Sequence, residues 1–139
     1  MSALARSLGA LLSILPLLAP AAEPVKGSLN LDLFAMSKDG AECAAKPEVE
    51  QYLERELIPA FTKEWSKQGH DGDPDFVVDF QFELGADGRV SHSAIRTAEP
   101  KTAGTAVHDC FKAATPAPLP EAARCLVGET YGYRIRKAR

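Results

Sequence analysis

The sequence predicts an α+β domain in the order helix, strand, strand, helix, strand, with a three-stranded antiparallel sheet and the helices packed on one face. Three observations carry this. Phe76, Val78, Phe80, Phe82 and Leu84 alternate with Val77, Asp79, Gln81 and Glu83, which marks a strand with one buried and one wet face. Val49, Leu53, Leu57, Phe61 and Trp65 recur every fourth residue with Tyr52 beside them, an apolar helical stripe. Tyr131, Tyr133 and Ile135 return to alternation against Thr130, Gly132, Arg134 and Arg136. A sheet with helices on one face buries all these stripes together.

Taken in chain order, residues 22–46 are mixed, and only Leu29-Asn-Leu-Asp-Leu33 alternates, which allows a short strand. Pro47 with Glu48 and Glu50 reads as a helix start, since proline loses nothing at the first helical position and the acids oppose the positive end of the helix dipole. Pro59 excludes the hydrogen bond to residue 55, so the helix must kink there or give way to a second one, and Gly69 ends the helical region. After the strand at 76–84, Gly85-Ala-Asp-Gly88 is hairpin-turn chemistry, and a returning strand is expected from Arg89 to about Thr97. Val90 and Ile95 lie five apart, which breaks the period of two and predicts a bulge or an early end to pairing. A second helix from about Ala103 to Thr115 carries Val107, Cys110 and Phe111 on one stripe, until Pro116, Pro118 and Pro120 force an extended exit. The last strand, Glu129–Lys137, can cross right-handed to lie antiparallel beside 76–84, where Asp79 and Glu83 could pair with Arg134 and Arg136. On this reading the last strand is an edge.

The N-terminal 21 residues read as a cleavable secretory signal. Arg6 sits beside the terminal amine, Leu8 to Ala19 is almost wholly apolar, and Ala19-Pro20-Ala21 places small residues where a signal peptidase cuts. The apolar run is shorter than the roughly 20 residues that span a bilayer and contains Pro16 and Pro20. Without residues 1–21 the chain carries 15 Lys+Arg against 19 Asp+Glu, a formal charge of −4, and nothing points to nucleic acid. The remaining residues, about 118, suffice for one domain with a single core.

No arrangement of reactive residues points to catalysis. Asp71-Gly-Asp73-Pro-Asp75 has the spacing of early calcium ligands, but Phe76 and Phe82 stand where an EF-hand loop needs Gly and Glu, so a solvated acidic turn is expected. His70, His92 and His108 have no partner at metal-ligand spacing, Ser91 and Ser93 lack the glycines of a nucleophile elbow, and Asp79 and Glu83 lie on the wet sheet face. The expectation is no enzyme, no metal and no small-molecule cofactor.

The ordered set of features resembles the C-terminal domain of TonB and TolA across residues 47–139: a helix bearing Tyr and Trp, a Phe/Val-rich strand, the turn Gly-Ala-Asp-Gly-Arg-Val90, Cys-Phe-Lys-Ala-Ala114 on a helix, the exit Thr-Pro-Ala-Pro-Leu-Pro120 and a final aromatic strand. The resemblance implies a monomeric periplasmic module that binds an envelope protein or peptide segment by strand addition. In TonB the accepting edge is the last strand, to which Tyr131, Gly132, Tyr133, Arg134, Ile135 and Arg136 correspond here. Unpaired backbone groups make any such edge a template. Unlike TonB and TolA, this chain shows no uncleaved anchor and no long low-complexity stalk, so energy transduction by a membrane-anchored protein is the second reading and a small exported enzyme the third.

Three cysteines in an oxidising compartment suggest one disulfide and one thiol. The topology brings Cys43, Cys110 and Cys125 to one end of the domain. The TolA-type bridge from the Cys110 position to the first strand cannot form, because that strand has no Cys. Cys43–Cys125 with Cys110 free is the expected pairing, and Cys110–Cys125 stays open beside it; either stabilises by about 2–4 kcal/mol. N-terminal sequencing of the exported protein should give a mature start at Ala22, whereas Met1 or Ser2 would support the anchored reading.

Overall fold

The computed structural model describes residues 28–138, so the signal segment predicted at 1–21 lies outside the described residues. The elements are β1 (Ser28–Ala35), α1 (Lys38–Ala44), α2 (Pro47–Tyr52), a π-helical turn (Leu53–Leu57), α3 (Ile58–Lys67), β2 (Phe76–Leu84), β3 (Val90–Glu99), α4 (Lys101–Ala113), a 3₁₀ segment (Glu121–Leu126) and β4 (Thr130–Ala138). The α+β class and the antiparallel sheet are as the sequence predicts. The strand count is four rather than three, in the order β1-β4-β2-β3.

Local chemistry explains most boundaries. Pro47 opens α2 at its first position, with Glu48 and Glu50 in the first turn. The choice posed by Pro59 is resolved without a break, because α2 runs into the π-helical turn, where the Ile58 N–H reaches back five residues to the Leu53 carbonyl, and α3 starts with Pro59 in its first turn. Widening the helix by one residue places the missing proline donor where no four-residue bond is demanded. Gly88 sits at φ +84° in the β2–β3 turn, and a Cβ there would meet both the Ala117 carbonyl and the Tyr52 hydroxyl, which donates to that carbonyl. Pairing of β2 with β3 slips at Asp79/Phe80 and again at Glu83/Leu84, leaving Arg96 and Ser91 out of register. The irregularity at Ser91 is the bulge that the Val90–Ile95 spacing predicts, and the one at Arg96 lies beyond that interval.

The helices lie on one face of the sheet and close the core over β2 and β4. Phe111 of α4 stacks on Phe61 of α3 at 4.1 Å and on Phe80 of β2 at 4.7 Å, and Phe82 stacks on Tyr133 of β4 at 5.3 Å. Trp65, Phe61, Phe80, Phe82, Phe111, Tyr131, Tyr133 and Ile135 are all buried. α1, which falls within the mixed segment 22–46, is capped by the Ser37 hydroxyl accepting from the Gly40 N–H. It is stapled to the 3₁₀ segment by the Cys43–Cys125 disulfide, whose Cα atoms are 5.9 Å apart, and Cys110 is the buried thiol. Of the two pairings left open by the sequence, this is Cys43–Cys125.

The 71–75 turn has a second role beyond that of a solvated acidic turn. Lys137 on the inner face of β4 is 3% exposed, and its ammonium donates to the carbonyl oxygens of Asp71, at 2.8 Å, and of Asp73. A buried ammonium is tolerable only with such acceptors. Lys137→Met keeps the apolar stem and removes the charge and its hydrogen bonds. It should cost about 1–3 kcal/mol, read as a lower denaturation midpoint at unchanged slope, whereas Lys112→Met on the exposed side of α4 should stay within about 0.5 kcal/mol.

Candidate functional site

The residues expected to form a peptide-accepting edge do not lie at an edge. Thr130–Ala138 pairs with β2 from Phe76↔Lys137 to Glu83↔Thr130, and on its other side with β1 from Ser28↔Ala138 to Ala35↔Tyr131. The physical reason is that the Leu29-Asn-Leu-Asp-Leu33 alternation extends to a full eight-residue strand, which supplies the backbone partners that the last strand would otherwise lack. Tyr131, Tyr133 and Ile135 point into the core. The Tyr131 hydroxyl donates to the Gly40 carbonyl at 3.0 Å, tying β4 to α1. Gly132, Arg134 and Arg136 belong to the opposite face: Gly132 is covered and the two arginines are exposed.

That opposite face is a ladder of paired charges. The Arg134 guanidinium donates to both Asp79 carboxylate oxygens at 2.8 and 3.0 Å, and Arg136 donates to Asp32 at 3.1 Å. The Arg134 hydrogen bond holds the Asp79 carboxyl below its usual range, and Thr97 adds a further donor. Asp79–Arg134 is a pair the sequence predicts. Glu83–Arg136 is not formed, because Thr130 stands opposite Glu83 and Arg136 turns toward β1. Beside this ladder Phe34 lies over Gly132, and a methyl group at Gly132 would overlap its ring. Glycine here is a packing requirement of the β1–β4 pair.

Among the described residues the sheet has two outer edges, β1 and β3. They differ in how ready they are to pair. The β3 edge is broken by both bulges, which blunt a strand against further pairing. The β1 register runs through all eight residues without a slip. Its inward side chains Leu29, Leu31 and Leu33 are only half-buried, whereas the inward row of β4 next to it is fully buried. The helical layer stops short of the edge and leaves a groove of about 480 Å³ between β1 and the α2–α3 helix. Leu31, Leu33, Leu53 and Ile58 give the groove apolar walls, Ala41 and Ala44 of α1 close one end with small side chains, and Glu50 and Glu54 stand on its rim. Tyr133 lines its floor.

The strongly shifted groups elsewhere are buried ones. The Cys110 thiol is pushed up to about 12, first by burial and then by Glu64, and is therefore protonated and inert at neutral pH. Burial likewise raises Tyr52 and Tyr131 to about 12, aided by Glu56 for the first and Glu129 for the second. Among the described residues no group of three or more His, Cys, Asp or Glu side chains is placed to hold a metal, and no helix is long and apolar enough to cross a membrane. Sequence reasoning missed the groove because its walls come from β1 and from the helix flank, and the one available signal was the leucine alternation at 29–33. No protein-family model, curated protein or solved structure matches the chain.

Proposed function

We propose that this protein is an exported, periplasmic, non-enzymatic interaction domain of the TonB/TolA C-terminal kind, which takes an extended segment of an envelope protein as an added strand beside β1. The observation that carries the reading is the pairing of two properties in one element: an outer edge with an unbroken register, and inward leucines left half-covered over an apolar groove. An added strand satisfies the outward backbone groups of β1 and lays its alternate side chains over Leu31, Leu33, Leu53 and Ile58. Main-chain bonds then supply affinity and the groove supplies selectivity. The accepting strand is β1 instead of residues 131–136, whose edge β1 itself occupies. The N-terminal signal supports export, and the resemblance of residues 47–139 supports the domain type.

Peptides selected from a random display library against the mature domain test this. They should protect the amides of residues 28–35 from hydrogen exchange. They should also bind the Leu31→Glu/Leu33→Glu variant at least about tenfold more weakly, the loss expected when two leucine contacts are removed. Protection confined to residues 90–99, or undiminished binding to the variant, would contradict the proposal.

A further inference from the structure

The rim of the groove carries a charge requirement. Glu50 and Glu54 lie four residues apart on one helical flank, where like charges repel, and neither has an ion-pair partner among the described residues. Their neighbourhood repeats the imbalance: residues 28–57 hold 7 acidic against 3 basic side chains, while residues 58–138 hold 11 against 10. The net negative charge of the described part is thus concentrated in the roughly one quarter of it that frames the groove.

A second, independent feature lies at the floor. Tyr133 is 1% exposed and lines the groove, and its hydroxyl has no hydrogen-bond partner among the described residues, whereas the Tyr52 and Tyr131 hydroxyls both donate to backbone carbonyls. Burial first and the nearby Glu54 carboxylate second push the Tyr133 hydroxyl up, so it is neutral and able both to donate and to accept. A buried polar group without a partner costs stability until something supplies one. An apolar slot with two carboxylates on its rim and, close to one of them, an unpartnered hydroxyl on its floor suits one side chain type: a long hydrocarbon stem with a cationic head.

We infer that the segment taken up beside β1 presents a lysine or arginine into the groove, its stem against Leu31, Leu33 and Leu53 and its head between Glu50, Glu54 and the Tyr133 hydroxyl. This rests on the reading of β1 as the docking edge, and it adds the chemistry of the partner. Apolar residues two positions to either side of the cation fall on the same face of the added strand and cover the rest of the wall. The partner is therefore an extended segment in which small polar residues alternate with apolar ones and one inward position is basic.

Three blocked synthetic nonapeptides separate this inference from the reading beneath it. In each, threonine alternates with valine, and the central inward residue is lysine, norleucine or glutamate. Binding to the mature chain is measured by calorimetry, with amide exchange of residues 28–35 recorded in parallel. The lysine peptide should bind about tenfold more tightly than the norleucine peptide, and the glutamate peptide more weakly than both. Glu50→Gln/Glu54→Gln should abolish the lysine advantage and leave norleucine binding unchanged; both positions are exposed, so the fold is not at stake. Norleucine binding as tightly as lysine, with β1 protected, would overturn the cation requirement and leave strand addition standing. No binding and no protection with all three peptides would overturn both.

Discussion

A strand that presents Tyr131, Tyr133, Ile135 and Lys137 to the core cannot leave either row of its backbone groups without partners unless water reaches that side. The eight-residue pairing of β1 with β4 meets that demand, and the other features follow from it. With β1 in place, β4 becomes an inner strand and its tyrosines become core. Phe34 is carried over Gly132, where only the absence of a side chain lets the ring lie. Arg136 turns toward Asp32 in place of Glu83. The same pairing leads the chain from β1 directly into α1, which brings Cys43 to Cys125 and sets the Gly40 carbonyl above the Tyr131 hydroxyl. Adding the fourth strand also moves the outer edge one position outward, beyond the reach of the helical layer. The groove is a geometric consequence: the helical segments bury the inward rows of β4 and β2, and the leucines of β1 remain half-covered.

The disulfide and the Lys137 clamp hold the two ends of this arrangement. Cys43–Cys125 closes a loop spanning 82 positions and anchors the helix that follows β1, so the N-terminal strand is tied to the body of the domain at its C-terminal end as well as along its length. At the opposite end of β4, the Asp71 and Asp73 carbonyls receive the Lys137 ammonium. An acidic turn that spacing alone could suggest as a cation site does bind a cation through its backbone oxygens, and that cation belongs to the protein.

The core was legible because its pattern is local. The alternation at 76–84, the four-residue stripe at 49–65 and the turn at 85–88 each contain their own period, and the structure keeps all three. The five-residue gap from Val90 to Ile95 pointed to the bulge at Ser91, though not to the one at Arg96. The edge was not legible, since whether a strand lies at an edge depends on what pairs with it across the whole chain. Leu29–Leu33 offered five alternating residues, short enough to read as marginal, and its true extent through Phe34 and Ala35 depends on contacts with Gly132 and Tyr131, nearly the length of the described chain away. α1 was hidden for a similar reason: seven residues with a glycine in the first turn have little intrinsic helicity, and a serine cap with a disulfide stabilises them. Glu50 and Glu54 read as the solvated side of an amphipathic helix. Their position beside a groove appears only when β1 is placed.

The position of β1 is therefore the central claim, and solution NMR of residues 22–139 measures it most directly. The account predicts cross-strand contacts between Asn30 and Arg136 and between Leu31 and Ile135, and Gly132 α-protons shifted upfield by the Phe34 ring above them. Gly132 protons at ordinary values, no contact between residues 28–35 and 131–138, and fast amide exchange along the outer side of residues 131–136 would contradict it and return the last strand to the edge of the sheet.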